Sequence, residues 1–221
     1  MKHKTLFLIA LGALLVIFVF GTLLYKLIEG DQAAPPAKAS KANSAALIRM
    51  HSPTLGKAEA PVVVVEFFDP ACETCALFYP RVKEIMAANP DRIRLVLRYA
   101  PFHNGSDQVV AVLEAARKQG KFWPALEAVL ASQNSWAANH TPQVGLVWKQ
   151  LEGLGLDLEK VRADMAAPEI ARVIAQDLED AKTLNVTQTP EYFVNGRPLP
   201  SFGFEQLKTL IDDALKETQR K

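Results

Sequence analysis

Residues 61–75 read Pro-Val-Val-Val-Val-Glu-Phe-Phe-Asp-Pro-Ala-Cys-Glu-Thr-Cys, and this stretch decides the fold. Its first part is mostly β-branched or aromatic, which predicts a short central strand, residues 61–68, buried on both faces. Asp69-Pro70 ends that strand. A helix is predicted from Cys72 to about residue 88, with a kink at Pro80 and with Leu77, Val82, Ile85 and Met86 on its buried side. A Cys-x-x-Cys motif therefore stands where a strand leads through a loop into a helix.

Cys72 and Cys75 are the only 2 cysteines of the chain. A disulfide that closes so short a loop constrains the unfolded chain little, which argues against a purely structural bond. The unpaired N–H groups and the dipole of a helix N-terminus stabilise a thiolate at Cys72. Cys75 lies one turn further along, and a small adjustment brings the two sulfurs to bonding distance. We predict that Cys72 attacks and that Cys75 resolves the mixed disulfide.

A metal site is the weaker interpretation of this cysteine pair. A structural zinc site needs about four ligands, and the 4 histidines of the chain are scattered along it. A copper- or zinc-handling protein that uses Cys72, Cys75 and His103 remains the alternative from another functional class. Our prediction is that the chain has no metal site and no cofactor.

The remaining soluble part predicts further strands and helices in a regular order. Residues 92–99 form a second strand, in which aliphatic side chains alternate with Arg94 and Arg98. Residues 105–184 have a helical pattern almost throughout. Two short strands, residues 191–194 and 197–199, flank the turn Asn195-Gly196, and an amphipathic helix covers residues 204–217. This order predicts an α/β fold, namely a thioredoxin core interrupted by a helical insertion.

Five segments in the same order resemble the DsbA-type branch of the thioredoxin superfamily. They are Glu66-Phe67-Phe68 ahead of Cys72, Arg98-Tyr99-Ala100-Pro101-Phe102-His103, Gly120-Lys121-Phe122-Trp123, Val186-Thr187-Gln188-Thr189-Pro190 and Phe193-Val194-Asn195-Gly196-Arg197. The resemblance covers roughly residues 50–217. It implies a thioredoxin-like domain over residues 47–221, with the helical insertion at about residues 105–168.

The resemblance also assigns roles outside the cysteine motif. It implies a cis bond before Pro190, so that the backbone of Thr189 lies beside Cys72 and pairs with an extended substrate in strand fashion. It makes Glu66 the proton acceptor for Cys75. The residues alone leave two other uses for Glu66, because a buried carboxylate is costly unless it is paired. Its side chain can reach a strand edge, or it can pair with Arg94 or Arg98.

Glu73 and Thr74 stand between the cysteines, where strongly oxidising members of the family carry Pro-His. A carboxylate beside Cys72 opposes a second negative charge, so we expect weaker stabilisation of the thiolate. Thr189 before Pro190 is similar to the isomerase and reductase members. We predict a thiol–disulfide oxidoreductase that acts as a mild dithiol oxidant on exported proteins. A periplasmic disulfide reductase or isomerase is the alternative within the same class.

The N-terminal segment predicts a membrane anchor. Residues 5–25 are 21 uncharged, mostly apolar residues, enough to span the hydrocarbon layer as one helix. A cleaved signal peptide has a shorter apolar core and remains the alternative. Lys2 and Lys4 favour a cytoplasmic N-terminus. We predict a transmembrane helix in residues 1–28, a flexible tether in residues 29–46, and a catalytic domain in the periplasm or extracytoplasmic space.

The composition limits the set of partners. With 25 Lys and Arg against 24 Asp and Glu, the chain shows no basic excess, and we expect no nucleic-acid binding. The expected partners are cysteine-containing exported proteins and a membrane or soluble redox partner. The tether is too short for a separate dimerisation domain, so we expect a monomer.

Overall fold

The computed structural model describes residues 44–220. Helix α1 (Ser44–Leu47) and strand β1 (Thr54–Leu55) precede β2 (Val62–Phe68), α2 (Glu73–Ala88) and β3 (Ile93–Tyr99). The helices that follow are α3 (Ser106–Lys118), α4 (Phe122–Ala131), α5 (Gln133–Trp136), α6 (Val144–Gln150), α7 (Leu158–Asp164) and α8 (Pro168–Thr183). The chain then forms β4 (Glu191–Val194), β5 (Arg197–Pro198) and α9 (Phe204–Gln219).

The strands make one five-stranded sheet in the order β1-β3-β2-β4-β5. β2 is central and runs parallel to β3 and antiparallel to β4. The β2–α2–β3 crossover and the helical block before β4 confirm the thioredoxin-like α/β fold with a helical insertion. Sequence patterns missed β1, because a strand of two residues is too short to show a period.

The side chains of β2 alternate between two cores, one on each face of the sheet. Val64 and Phe68 belong to the larger core, which also contains Cys72 and Cys75. Val65 and Phe67 belong to a smaller core on the opposite face. The prediction of a central strand buried on both faces is confirmed, and Glu66 consequently points to the face that carries the cysteines.

The predicted buried side of α2 was wrong at one position. Sequence analysis placed Leu77 on that side with Val82, but the Leu77 side chain is 61% exposed. The buried residues of α2 are Cys75, Phe78, Tyr79 and Val82, which follow the helical spacing of three and four. Leu77 is two positions from Cys75, and a two-residue step carries a side chain to the opposite side of a helix.

The segment after α1 is fixed to the domain by a buried network of charged groups. Arg98 on β3 is 0% exposed and forms ion pairs with Asp177 at 2.7 Å and Asp180 at 2.6 Å. Arg49 pairs with the same Asp180 at 2.6 Å, and His51 Nε2 lies 2.6 Å from Asp177 Oδ1. These contacts join the start of the described chain to β3 and α8.

The boundary predicted for the tether needs a correction. The tether was drawn to residue 46, but Ala46 lies in α1 with its side chain buried, and its carbonyl accepts a hydrogen bond from Arg98. The predicted membrane helix in residues 1–28 lies outside the described residues. Within residues 44–220, no helix combines the length and the hydropathy needed to cross a bilayer.

Candidate active site

The two cysteines lie at the start of α2, directly after the loop that leaves β2. Cys72 is the N-cap residue with extended backbone angles, φ −77° and ψ 117°, and Cys75 lies in the first turn. Both are free thiols and both are buried. The loop is a tight turn in which the Cys72 N–H donates to the Asp69 carbonyl at 3.1 Å. Asp69 Oδ1 accepts from the Ala71 N–H at 2.8 Å.

The two thiols differ strongly in acidity. A hydrogen bond from the Cys75 side chain lowers the pKa of Cys72 to about 5, and burial opposes this effect. That value also includes smaller effects in the same direction from the Thr189 side chain and from the N–H groups of Cys75 and Thr74. Burial raises the pKa of Cys75 well above its ordinary value, and its contact with Cys72 adds to the rise. At neutral pH the pair therefore holds one thiolate, at Cys72, and one protonated thiol.

The loop before β4 closes over Cys72. The Thr189–Pro190 peptide bond is cis, which confirms the predicted geometry of that bond. Cys72 Sγ lies 3.1 Å from the Thr189 carbonyl, to which the thiol form donates a hydrogen bond. Strand β4 begins at Glu191, opposite Phe67 of β2, so the sheet itself holds Pro190 beside the end of β2. The structure thus brings Thr189, Pro190 and Cys72 together.

Glu66 is buried below the cysteine pair, and both other uses considered for it are wrong. Its side chain does not reach solvent, and Arg98 is engaged by Asp177 and Asp180. Arg94 lies beside Val63, on the other face of the sheet from Glu66. Within residues 44–220, neither carboxylate oxygen of Glu66 completes a hydrogen bond, although the neighbouring Tyr192 hydroxyl is close enough to lower its pKa. Burial has the larger effect and raises the pKa of Glu66 to about 8. The negative charge of Glu66 in turn raises the pKa of Cys75.

Glu73 and Thr74 differ in their positions on the first turn of α2. The Glu73 side chain is exposed to solvent, whereas Thr74 is half-buried. The Thr74 backbone N–H acts directly on Cys72, because it is one of the donors that stabilise the thiolate. An acidic residue in the first turn also suits the helix dipole. Whether Glu73 tunes the redox potential stays a prediction.

Sequence reasoning missed the side chains that hold the active-site loop. Asp69 Oδ2 accepts from the His103 N–H at 2.9 Å and contacts His103 Nδ1 at 2.7 Å. The His103 ring stacks on His140, with ring centroids 4.8 Å apart. Gln133 donates to two carbonyls of the loop. Asp69 was interpreted only as a strand breaker, and no local sequence pattern marks Gln133 or His140.

The geometry gives little support to a metal site. His103 contacts Asp69 and His140, and no hydrogen bond links it to either cysteine in the part of the chain that the structure describes. Across residues 44–220, no three His, Cys, Asp or Glu side chains are grouped so that they could bind a metal ion. The paired thiols are better suited to dithiol–disulfide exchange.

The fold and the site define a dithiol–disulfide exchange protein built on a thioredoxin core. The family model described as thioredoxin matches residues 49–213. The probable disulfide bond formation protein D of Bacillus anthracis is 30% identical over an alignment of 224 positions, which covers 95% of this chain and 97% of that protein. The chain belongs to the DsbA-like thiol–disulfide oxidoreductases of the thioredoxin superfamily.

Two further similarities are informative. A thioredoxin-like oxidoreductase from Silicibacter pomeroyi DSS-3 superposes with a TM-score of 0.68 at 34% identity, covering 79% of this chain and 99% of that one. The Na(+)/H(+) antiporter NhaA of Herminiimonas arsenicoxydans is 33% identical over 144 residues, which are 65% of this chain. The chain spans only 22% of the length of that antiporter, and 21% to 25% of the next two curated antiporters that it matches.

Proposed function

We propose that this protein oxidises dithiols of exported proteins to disulfides and does so as a mild oxidant. The observation that carries the proposal is the asymmetry of the cysteine pair, with the pKa of Cys72 lowered to about 5 and that of Cys75 raised well above its ordinary value. A thiol of low pKa is a good leaving group in disulfide exchange, and its thiolate stabilises the reduced form of the enzyme.

The proposed reaction transfers two electrons from the substrate. A substrate thiolate attacks Sγ of Cys72 in the Cys72–Cys75 disulfide, the bond between the two cysteines breaks, and Cys75 leaves as a thiolate that takes up a proton. A second thiolate of the same substrate then attacks the substrate sulfur that is bonded to Cys72, and Cys72 is released as a thiolate. The substrate leaves with a disulfide, and the enzyme holds the dithiol. A redox partner that carries a disulfide accepts the two electrons and restores the oxidised enzyme.

Glu66 fits the proton transfer that this cycle needs at Cys75. With a pKa of about 8, its carboxyl can both hold and release a proton near neutral pH. It lies on the side of the sheet that carries the cysteines. When Cys75 leaves as a thiolate it needs a proton, and when the dithiol is reoxidised it must lose one. We assign Glu66 to both transfers.

The stabilised thiolate sets the expected direction of electron flow. With the pKa of Cys72 at about 5, the folded reduced form gains about 2–3 kcal/mol at pH 7 relative to an ordinary thiol, which corresponds to roughly 60 mV. The sign follows from a lowered pKa. The gain is complete above the unfolded pKa of about 9 and disappears as the pH falls through about 5. A more stable reduced form makes the disulfide form a stronger oxidant.

Substituting Glu73→His should move the redox potential to more oxidising values and lower the pKa of Cys72, because it removes a negative charge next to the thiolate. About 60 mV, equivalent to two pKa units, is the upper end of the expected shift, since Glu73 is exposed and solvent screens its charge. The measurement is equilibration against a glutathione buffer, read by thiol alkylation. Glu84→His, an exposed substitution further along α2, serves as the control and should leave the potential unchanged.

Two results of this titration would change the proposal. An unchanged potential in Glu73→His would remove Glu73 as a tuning residue. A wild-type potential near roughly −270 mV, the value of thioredoxin, would make a reductase supplied by an electron donor the better assignment.

We further propose that residues 1–28 anchor the protein in the cytoplasmic membrane, with a monomeric catalytic domain on the extracytoplasmic side. The support is the apolar run of residues 5–25 and the lysines before it. A protease added outside the membrane should cut the tether between about residues 31 and 43 and release a monomeric domain. The control is digestion of the full-length protein in detergent-treated membranes, where the protease can reach both sides. Recovery of an untreated soluble species that begins near residue 33 would instead show a cleaved signal.

A further inference from the structure

The loop that delivers Cys72 is held from outside the thioredoxin core. Its three successive carbonyls, those of Pro70, Ala71 and Cys72, all meet side chains of the helical insertion. Gln133 Nε2 donates to the Pro70 carbonyl at 2.7 Å and to the Cys72 carbonyl at 2.9 Å. His140 Nδ1 lies 3.4 Å from the Ala71 carbonyl, the longest of the three contacts. Gln133 therefore makes the two firm contacts, and both N–H bonds of its amide have an acceptor.

The Gln133 side chain is buried, so solvent does not compete for its amide. It is only 4% exposed and lies at the start of the short helix α5. A buried amide keeps its donors paired, because an unpaired polar group in the interior is costly. Gln133 thus links the insertion to the active-site loop with both of its amide N–H bonds.

The Cys72 carbonyl is the point at which this contact affects the thiol. The same carbonyl accepts the first hydrogen bond of α2, from the Ala76 N–H at 3.2 Å. The Cys72 N–H is fixed on its other side by the Asp69 carbonyl. Gln133 therefore completes the fixation of the Cys72 backbone, and the direction of the Cα–Cβ bond follows from that backbone. The sulfur must point at the Thr189 side chain and at the N–H groups of Thr74 and Cys75 for the thiolate to be stabilised.

We propose that Gln133 is a positioning residue: it orients Cys72 from the helical insertion, so that the sulfur meets the donors at the start of α2 and the loop before Pro190. The inference rests on the proposed function, since it assigns to the insertion a part in the reactivity of the same thiol. Gln133 bonds to the Cys72 carbonyl and, among the described residues, has no hydrogen bond to the sulfur, so its effect passes through the backbone.

The substitution Gln133→Met tests this inference in the full-length protein. Methionine fills a similar volume and removes both donors. The pKa of Cys72 should rise by about 0.5–1 unit, which corresponds to a threefold to tenfold lower thiolate fraction, and hence slower alkylation, at pH values below that pKa. The pKa is read from the thiolate absorbance and from the rate of alkylation as a function of pH.

Trp136→Phe provides the matched control. Trp136 lies on the same helix, is completely buried and loses one hydrogen bond, from Nε1 to the Val129 carbonyl at 2.8 Å. In the part of the chain that the structure describes, Trp136 has no hydrogen bond to the active-site loop. Its substitution should therefore lower the melting temperature and leave the pKa of Cys72 unchanged. Gln133→Asn keeps the amide on a side chain one carbon shorter. It should give a smaller rise, and it decides the question if Gln133→Met does not fold.

The outcomes separate this inference from the proposed function. A wild-type Cys72 of low pKa that is unchanged in both Gln133 variants, with stability lowered as in Trp136→Phe, would show that Gln133 is only structural. The proposed oxidant role would then stand. A wild-type Cys72 with the pKa of an ordinary thiol would overturn both.

Discussion

Substituting Cys72→Ser should reduce exchange with disulfide substrates to the uncatalysed rate, whereas Cys75→Ser should accumulate mixed disulfides. The first variant lacks the attacking thiolate. In the second, the Cys72 thiolate still attacks, but no resolving thiol remains to release the product. The complexes should appear on non-reducing gels and disappear after treatment with a reductant. This contrast is the largest effect on activity that we expect from a single substitution in the chain.

The different acidities of the two thiols provide an independent test of their assigned roles. Between pH 5 and 8, alkylation of the reduced wild type should label Cys72 first, because its pKa is about 5 and that of Cys75 is raised well above the ordinary value. Faster labelling of Cys75 under mildly acidic conditions would reverse the two roles. The doubly substituted chain should show neither labelling nor mixed disulfides.

Asp177→Ala should cause the largest loss of stability, about 3–5 kcal/mol of unfolding free energy. Asp177 is fully buried, pairs with Arg98 and His51, and accepts the Tyr99 N–H at 2.8 Å. Its removal leaves the buried Arg98 guanidinium with Asp180 as its only ion-pair partner among the described residues. Urea denaturation of wild type and variant, compared at equal m-values, measures the loss.

A second aspartate provides the matched control. Asp212 pairs with Lys208 at 2.6 Å on the exposed side of α9, so the ion pair is equally short but solvated. Asp212→Ala should cost less than about 1 kcal/mol. If Asp177→Ala costs as little as Asp212→Ala, the buried network does not stabilise the domain in the way its geometry indicates.

Sequence analysis predicted well the features that depend on one continuous segment of the chain. The strand, loop and helix of residues 61–88 have a clear hydrophobic pattern, and the position of Cys72 at the helix start follows from it. Pro190 was identified only because a family resemblance supplied its role. The face of α2 that is buried depends on what packs against it, and this is why Leu77 was misplaced.

The parts that sequence analysis missed join segments far apart in the chain. Gln133 reaches Cys72 across 61 positions, and Asp177 reaches Arg98 across 79. Neither contact has a local pattern, since a glutamine or an aspartate on a helix is most often solvated. Arg98 was expected to alternate outward on β3, and only the fold shows that two aspartates of α8 make its burial possible.

The buried ion pairs around Arg98 also determine where the N-terminal segment is attached to the domain. Leu47 of α1 packs in the smaller core, on the face of the sheet opposite the one that carries the cysteines. Arg49 and Arg98 share Asp180, so the chain that enters the domain is secured by ion pairs on that same side. A force applied at α1 would therefore act on these ion pairs, and the reactive thiols lie on the other face of the sheet, away from it.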